Sequence, residues 1–374
     1  MTPQLNEDLT RPIRLGSQRA INRIVMAPMT NKQSHEDGTL SAAEVDWLGM
    51  RADGGFGVVI TGAWAVAPEG RAWEGQAGLY AERHLAPLVG LAQRIASTDA
   101  LGIVQVHHGG SRSAPEITHT RGISSSDGPD WDGASDDDIQ RIIEAHRAAA
   151  DRVRAAGLHG IEIHAAHGFL PAQFISRTDN RRTDRWGGDL DGRARFVREV
   201  VRAIRTAAGN DFVIGVRLSP ENHHHGIVLE ETAQIAAWLA DDGMDYLHLS
   251  LGHALASSSH EEGRRALEVV RALLPRGLPI VAAGSIRTPH DATRVRRLGA
   301  DLVALGTAAI HDPSWPQHAT DPGRLPDVSP STPEHLAAAG VTPPFLQYLR
   351  EGWPDSIIET PTDLTPGPEP VTKT

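Results

Sequence analysis

Eight stretches of the chain are apolar almost without a break. They are Arg23–Met29, Val58–Ala63, Ile103–His107, Ile161–Ala165, Val213–Ser219, Tyr246–Leu251, Pro279–Gly284 and Leu302–Gly306. Continuous rather than alternating apolarity suits strands buried on both faces of a parallel sheet. Between them the period lengthens to that of a helix. Ser41 and Glu44 have capping-box spacing ahead of one such segment. Ser135 followed by three Asp residues opens another, where an N-cap hydroxyl and acids in the first turn suit the helix dipole. Ile139, Ile142, Ile143, Ala149, Ala150 and Val153 then share one face, and Gly157 supplies a stop. Further helices are predicted over Arg193–Ala208, Glu230–Asp241, Arg264–Leu274 and Pro289–Leu298.

The junctions AGLHGIEIH, DGMDYLHLS and LGADLVALG repeat one helix-to-strand turn. Such repetition predicts an α/β fold of the closed (β/α)8 TIM-barrel type. An open dinucleotide-binding sheet would need a Gly-rich phosphate turn after its first strand, and TNKQSHEDG is not one. The barrel is expected over residues 1–320. A partly helical C-terminal extension follows over 321–358, and a disordered tail over 359–374, where Pro and Thr accumulate. The polar excursion Gly109–Asp132 is expected to be an active-site loop.

Composition narrows the chemistry. There is no Cys, which removes disulfides, iron–sulfur clusters, zinc–thiolate sites and any cysteine nucleophile or flavin tether. The net charge of −11 argues against nucleic-acid or anionic-membrane partners. The N-terminal residues carry no signal-peptide core and no apolar run is long enough to span a bilayer, so a cytoplasmic protein is expected.

In a barrel, function gathers at the C-terminal strand ends. Those ends supply Ala27, Pro28, Met29 and Thr30; Ala63 and Trp64; Gln105; His164 and His167; Arg217; Gly284 and Ser285; Gly306 and Thr307. Small residues after the seventh and eighth strands suit a phosphate held by backbone N–H groups, or merely permit tight turns. Arg217 on an apolar strand needs an anionic or electron-rich partner. That partner is either an internal ion pair or the N1/C2 carbonyl edge of a flavin. His164 and His167 could bind metal, fill core space or donate together to one substrate oxygen. With no carboxylate at convincing spacing, no metal site is expected.

The segments RIVMAPMTNKQS, GAWAVAPEGR and IVQVHHGG, and above all IEIHAAHGFLPAQFISRTDNRRTDRWGGDLDGRARFVREVV, resemble the Old Yellow Enzyme family of FMN oxidoreductases. So do VRLSPE, VAAGSI and DLVALGTAAIHDPSW, which extends the resemblance from about Ile21 to Trp315. It implies non-covalent FMN at the barrel mouth and NADPH or NADH as electron donor. Ala27, Pro28, Met29, Thr30, Ala63 and Gln105 would contact the flavin ring, and Arg217 its N1/C2 side. Gly284, Ser285, Gly306 and Thr307 would hold the phosphate. His164 and His167 would bind the oxygen of a carbonyl or phenol-like ligand, with Phe169 and Trp64 in the substrate pocket and Thr30 tuning the flavin.

Two positions depart from the family pattern. Thr307 stands where an Arg usually meets the phosphate. Phe169 stands where the family carries the Tyr that donates a proton in alkene reduction, and none of the three tyrosines, Tyr80, Tyr246 and Tyr348, matches that position. Three functions stay open: an NAD(P)H-dependent reductase of activated alkenes; a flavin enzyme that oxidises, demethylates or isomerises; and a non-catalytic flavin-binding barrel, against which the intact site residues argue. The segment Gln347–Trp353 resembles one that reaches into a neighbouring subunit in some relatives, through Arg350 here, which suggests a homodimer or homotetramer.

Overall fold

The structure, a computed structural model, describes residues 8–258, 264–275, 277–321, 323–327 and 329–358. The tail expected to be disordered, 359–374, lies outside the described residues. Eight parallel strands form the barrel: β1 Ile24–Met26, β2 Val58–Ile60, β3 Leu101–His107, β4 Gly160–Ala165, β5 Val213–Leu218, β6 Tyr246–Ser250, β7 Ile280–Ala283 and β8 Leu302–Leu305. Each pairs with its sequence neighbour, β8 pairs with β1, and β2 pairs with β3, so the sheet closes. Closure explains the uninterrupted apolar runs, because one side of every strand faces helices and the other faces the barrel interior.

Outside lie α1 Ala42–Asp53, α2 Leu85–Ala96, α3 Asp136–Ala156, α4 Leu190–Ala208, α5 Leu229–Asp241, α6 Ala266–Leu273, α7 Pro289–Arg297 and the short α8 Thr307–His311. Ser135 and Asp138 form a reciprocal cap on α3, and Gly157 ends it at φ 91°. The expected capping box at Ser41 is only half made. Ser41 accepts the Glu44 N–H at 3.1 Å, but the Glu44 carboxylate is buried and turned toward Ser34 and Trp64 instead. The helix α2, which the sequence pattern did not mark, begins without a side-chain cap.

An antiparallel hairpin, Ile13–Leu15 with Gln18–Ala20, lies across the N-terminal end of the barrel. Its buried Leu15 and Ala20 join the inner cluster of Val25, Val58, Leu101, Val213, Val281 and Leu302. Full burial of such side chains contributes about 1.5–3 kcal/mol each. The hairpin therefore closes the floor with apolar packing and leaves only the opposite end open.

At that open end, strand register places the polar groups. Arg217 is level with His164 on one side and His248 on the other, and Gln105 is level with Glu162. Two C-terminal helices, α9 Pro333–Ala338 and α10 Pro343–Gly352, dock beside α1. Phe345 meets the edge of Trp47 at 5.6 Å between ring centroids, and the buried Arg51 donates to the carbonyls of Ala309 and Ala339. This docking carries the C-terminal segment to the barrel mouth. None of the described helices is long and apolar enough to cross a membrane.

Candidate active site

Two adjoining cavities open at the C-terminal strand ends, one of about 460 Å³ and one of about 320 Å³. Pro28, Met29, Arg217 and Trp353 line both, which makes them one elongated groove. The larger part is walled by Thr30, Ala63, Gln105, His164, His167 and Phe169. Ala27, Gly284, Ser285, Gly306 and Thr307 line the smaller part. Ala27 thus sits with the small residues and not beside the His pair.

Trp64 does not reach the larger cavity. The backbone alternates sides there, so Ala63 faces the groove and Trp64 turns away. Its indole N–H is directed at Glu44 Oε1 at 3.4 Å. The indole that does line the cavity is Trp73, 6.2 Å from Phe169 between ring centroids.

The walls of the cavity fix the tautomer of His164 and orient the ring of His167. His164 Nδ1 accepts the Ala166 N–H at 3.3 Å, so its ring proton lies on Nε2. Arg217 donates to Ser250 Oγ at 3.0 Å, and Ser250 Oγ lies 2.7 Å from His167 Nε2. Ser250 Oγ can accept from Arg217 and still give its own proton to His167 Nε2, and in that arrangement the His167 proton lies on Nδ1. Burial, with His167 and Arg217 adding to it, pulls His164 well below the usual imidazole range. The desolvating cavity walls, then Arg217 and Arg112, lower His167 to about 3. Two neutral N–H donors with ring centroids 4.9 Å apart thus stand together. His167 holds φ 58° and Ser285 φ 51°, left-handed values that cost a non-glycine residue roughly 1–2 kcal/mol. Backbone strain gathers at this mouth, as it does at functional sites.

Beneath them lies a polar knot that sequence reading missed. Glu162 accepts from Gln105 Nε2 at 2.7 Å, from the Tyr246 hydroxyl at 2.8 Å, and lies 3.0 Å from His248 Nδ1. Burial opposes its ionisation, but His248, Arg217 and Tyr246 outweigh burial and hold the carboxyl below its ordinary range. The carboxylate fixes the Gln105 amide with its NH2 inward, so the carbonyl oxygen is left for the cavity.

Flavin mononucleotide suits this groove. Arg217 is buried, and its Nε has no partner among the described residues. A side chain at Gly284 (φ 149°) would strike the Leu251 carbonyl at 2.6 Å, whereas a Cβ on Gly306 would meet nothing nearer than Met29 Sδ at 3.7 Å. The smaller cavity is therefore a bare backbone cradle, and Arg287 lines it. That guanidinium, which the sequence pattern did not mark, is a positive charge beside the cradle of a kind that Thr307 lacks. The pattern gave no sign of it because it comes from the loop after β7.

The model of the NADH:flavin oxidoreductase / NADH oxidase family matches residues 8–324. A probable NADH-dependent flavin oxidoreductase, YqiG of Bacillus subtilis (strain 168), is 34% identical over 79% of this chain and 82% of its own length. The NADH oxidase of Thermoanaerobacter brockii is 35% identical over 82% of this chain, which spans 50% of that protein. A solved structure of morphinone reductase superposes with a TM-score of 0.77 at 26% identity, covering 88% of this chain and 93% of that one.

Proposed function

The chain belongs to the NADH:flavin oxidoreductase / NADH oxidase family, the Old Yellow Enzyme family, as an FMN-dependent NAD(P)H oxidoreductase, and on that premise we propose that it reduces the activated C=C bond of a carbonyl substrate. The paired neutral donors His164 Nε2–H and His167 Nδ1–H, facing one cavity, carry this reading. Donating together to a single ligand oxygen, they would withdraw electron density there and make the conjugated carbon electrophilic. Their neutrality matters, because donation then persists across the physiological pH range.

FMN, when bound, supplies the hydride. Arg217 would sit at its N1/C2 edge, where positive charge favours the reduced form. Gln105 would offer its carbonyl oxygen to the pyrimidine edge. Pro28, Met29, Thr30 and Ala63 would line the ring, while Gly284, Ser285, Gly306, Thr307 and Arg287 would take the phosphate. Ser250 links the two ends, because one hydroxyl receives the Arg217 hydrogen bond and orients His167. Phe169, with its ring 4.9 Å from His164 and 4.6 Å from His107, packs against the ligand and has no proton to give.

The test has two steps. The chromophore released by heat should chromatograph as FMN, and enzyme reduced anaerobically by NADPH or NADH should be reoxidised by 2-cyclohexenone. Release of FAD, or reduced enzyme indifferent to every activated alkene tried, would overturn the reading.

A further inference from the structure

Phe169 leaves alkene reduction without its proton, and the cavity is lined by one tyrosine. Of the three tyrosines, Tyr246 is committed to Glu162 inside the barrel, and Tyr80 donates to the Asp37 carbonyl at 3.1 Å, outside the groove. Tyr348 on α10 lines the same cavity as His164, His167 and Phe169. The remaining walls offer no Asp or Glu, and no Cys exists in the chain. Sequence placed Tyr348 beyond the barrel, but the docking of α10 on α1 brings it to the mouth.

The surroundings of Tyr348 keep the phenol protonated and place groups that would steady a phenolate beside it. Its side chain is hydrogen-bonded to Thr30. Lys32, held at φ 52°, places its ammonium 5.4 Å from the Tyr348 ring centroid. Neither Lys32 nor Arg112, which also lines the cavity, has a carboxylate partner among the described residues. Arg112 instead donates to the His167 carbonyl and lies over the Phe169 ring at 4.9 Å. Two cations and a hydroxyl therefore surround the site where a phenolate would form. Burial still raises the phenol above its ordinary value, so it is protonated and ready to donate at neutral pH.

We propose that Tyr348, supported by Lys32 and Thr30, is the proton donor of this enzyme in place of the residue missing at position 169. The proposal rests on the alkene-reductase reading above. In the step, the C=C π bond breaks and the β-carbon takes a hydride from the reduced flavin. The electron pair left on the α-carbon takes the Tyr348 hydroxyl proton. The phenolate is then reprotonated by water, and the substrate has gained two hydrogens in all.

The experiment is anaerobic single-turnover reoxidation of the FMN-loaded, reduced enzyme by 2-cyclohexenone. It compares wild type, Tyr348→Phe, Lys32→Met and the double variant Tyr348→Phe/Phe169→Tyr. Tyr348→Phe should slow reoxidation roughly 100-fold or more, the contribution of a positioned acid. The double variant should recover at least a tenfold share of that loss, which a merely misfolded Tyr348→Phe would not allow. A second readout needs no turnover. The alkaline absorbance titration of apoprotein, wild type minus Tyr348→Phe, isolates the Tyr348 phenol, and Lys32→Met should move its midpoint upward. A wild type that enone reoxidises but whose Tyr348→Phe variant keeps the rate within about twofold overturns the assignment and spares the reductase reading. A wild type that no activated alkene reoxidises overturns both.

Discussion

His164, Gln105 and Arg217 stand on barrel strands and are 3%, 1% and 7% exposed, whereas Lys32, Arg112 and Tyr348 reach the same cavity from loops and the C-terminal helix α10 and keep contact with solvent. The strand-borne wall is cross-linked. Arg217 and Ser250 form one hydrogen-bonded line that reaches His167 in the turn after β4, and Gln105, Glu162, Tyr246 and His248 form another. The loop-borne wall is held by contacts at its surface: Arg112 meets the His167 carbonyl and the Phe169 ring, and Tyr348 meets Thr30 and the Lys32 ammonium. The first wall is built to hold charge out of water and cannot lose a member cheaply. The second can be altered one residue at a time, so it is where one enzyme of this fold would come to differ from another.

The sharpest way to break the contrast is Arg217→Met. It removes the donor to Ser250 and the buried cation that favours the Glu162 carboxylate electrostatically, while Glu162 keeps Gln105, Tyr246 and His248. Loss of a hydrogen bond from a charged group typically costs about 1.5–3 kcal/mol. Denaturant unfolding of the apoprotein should show that loss, and FMN retention should fall with it. An apoprotein of unchanged stability would mean that the strand-borne wall is no more cross-linked than the other.

Acid probes the buried framework that backs this wall. His146 is fully buried, and burial lowers it to about 4. Its folded value lies below the unfolded one of about 6.5, so its contribution is complete above pH 6.5 and is lost as pH falls toward 4. That window carries about 3 kcal/mol. His146→Leu should flatten the fall of Tm across it, and an unchanged slope would assign acid sensitivity elsewhere.

Within the wall, His164→Ala and His167→Ala should each keep FMN and weaken a phenol ligand by about 1.5–3 kcal/mol, one to two decades in Kd. Titration of the long-wavelength charge-transfer band reads this directly, and unchanged affinity in both would remove the pair from the ligand site. The smallest effect belongs to the loops. Arg112→Met should weaken an anionic phenolate by only about 0.2–1 kcal/mol, and the difference should fade with added salt. A salt-independent loss of several kcal/mol would show that the loop-borne wall is as tightly coupled as the strands.

The same division governed what could be read from the chain. Strands buried on both faces leave uninterrupted apolar runs, so the barrel and its strand ends, His164, Gln105 and Arg217 among them, were legible. Trp64 was misplaced although the cue was present: if Ala63 faces the groove, its neighbour on an extended segment cannot. Trp73, Arg112 and Arg287 left no pattern, because loops carry no period and their path is set by what they pack against. Tyr348 sits 179 positions from Phe169, as their numbers show, and the burial of Phe345 against Trp47, with Arg51 tying in Ala339, brings it back.

The apolar hairpin across the barrel floor has a consequence for traffic. A vessel sealed at one end has a single door, and here that door is also the workbench. Whatever brings electrons and whatever carries them off must queue at the same opening, each vacating it before the other can enter. An excess of either visitor would then obstruct the other, and the pace of the whole cycle would be governed by departures as much as by chemistry.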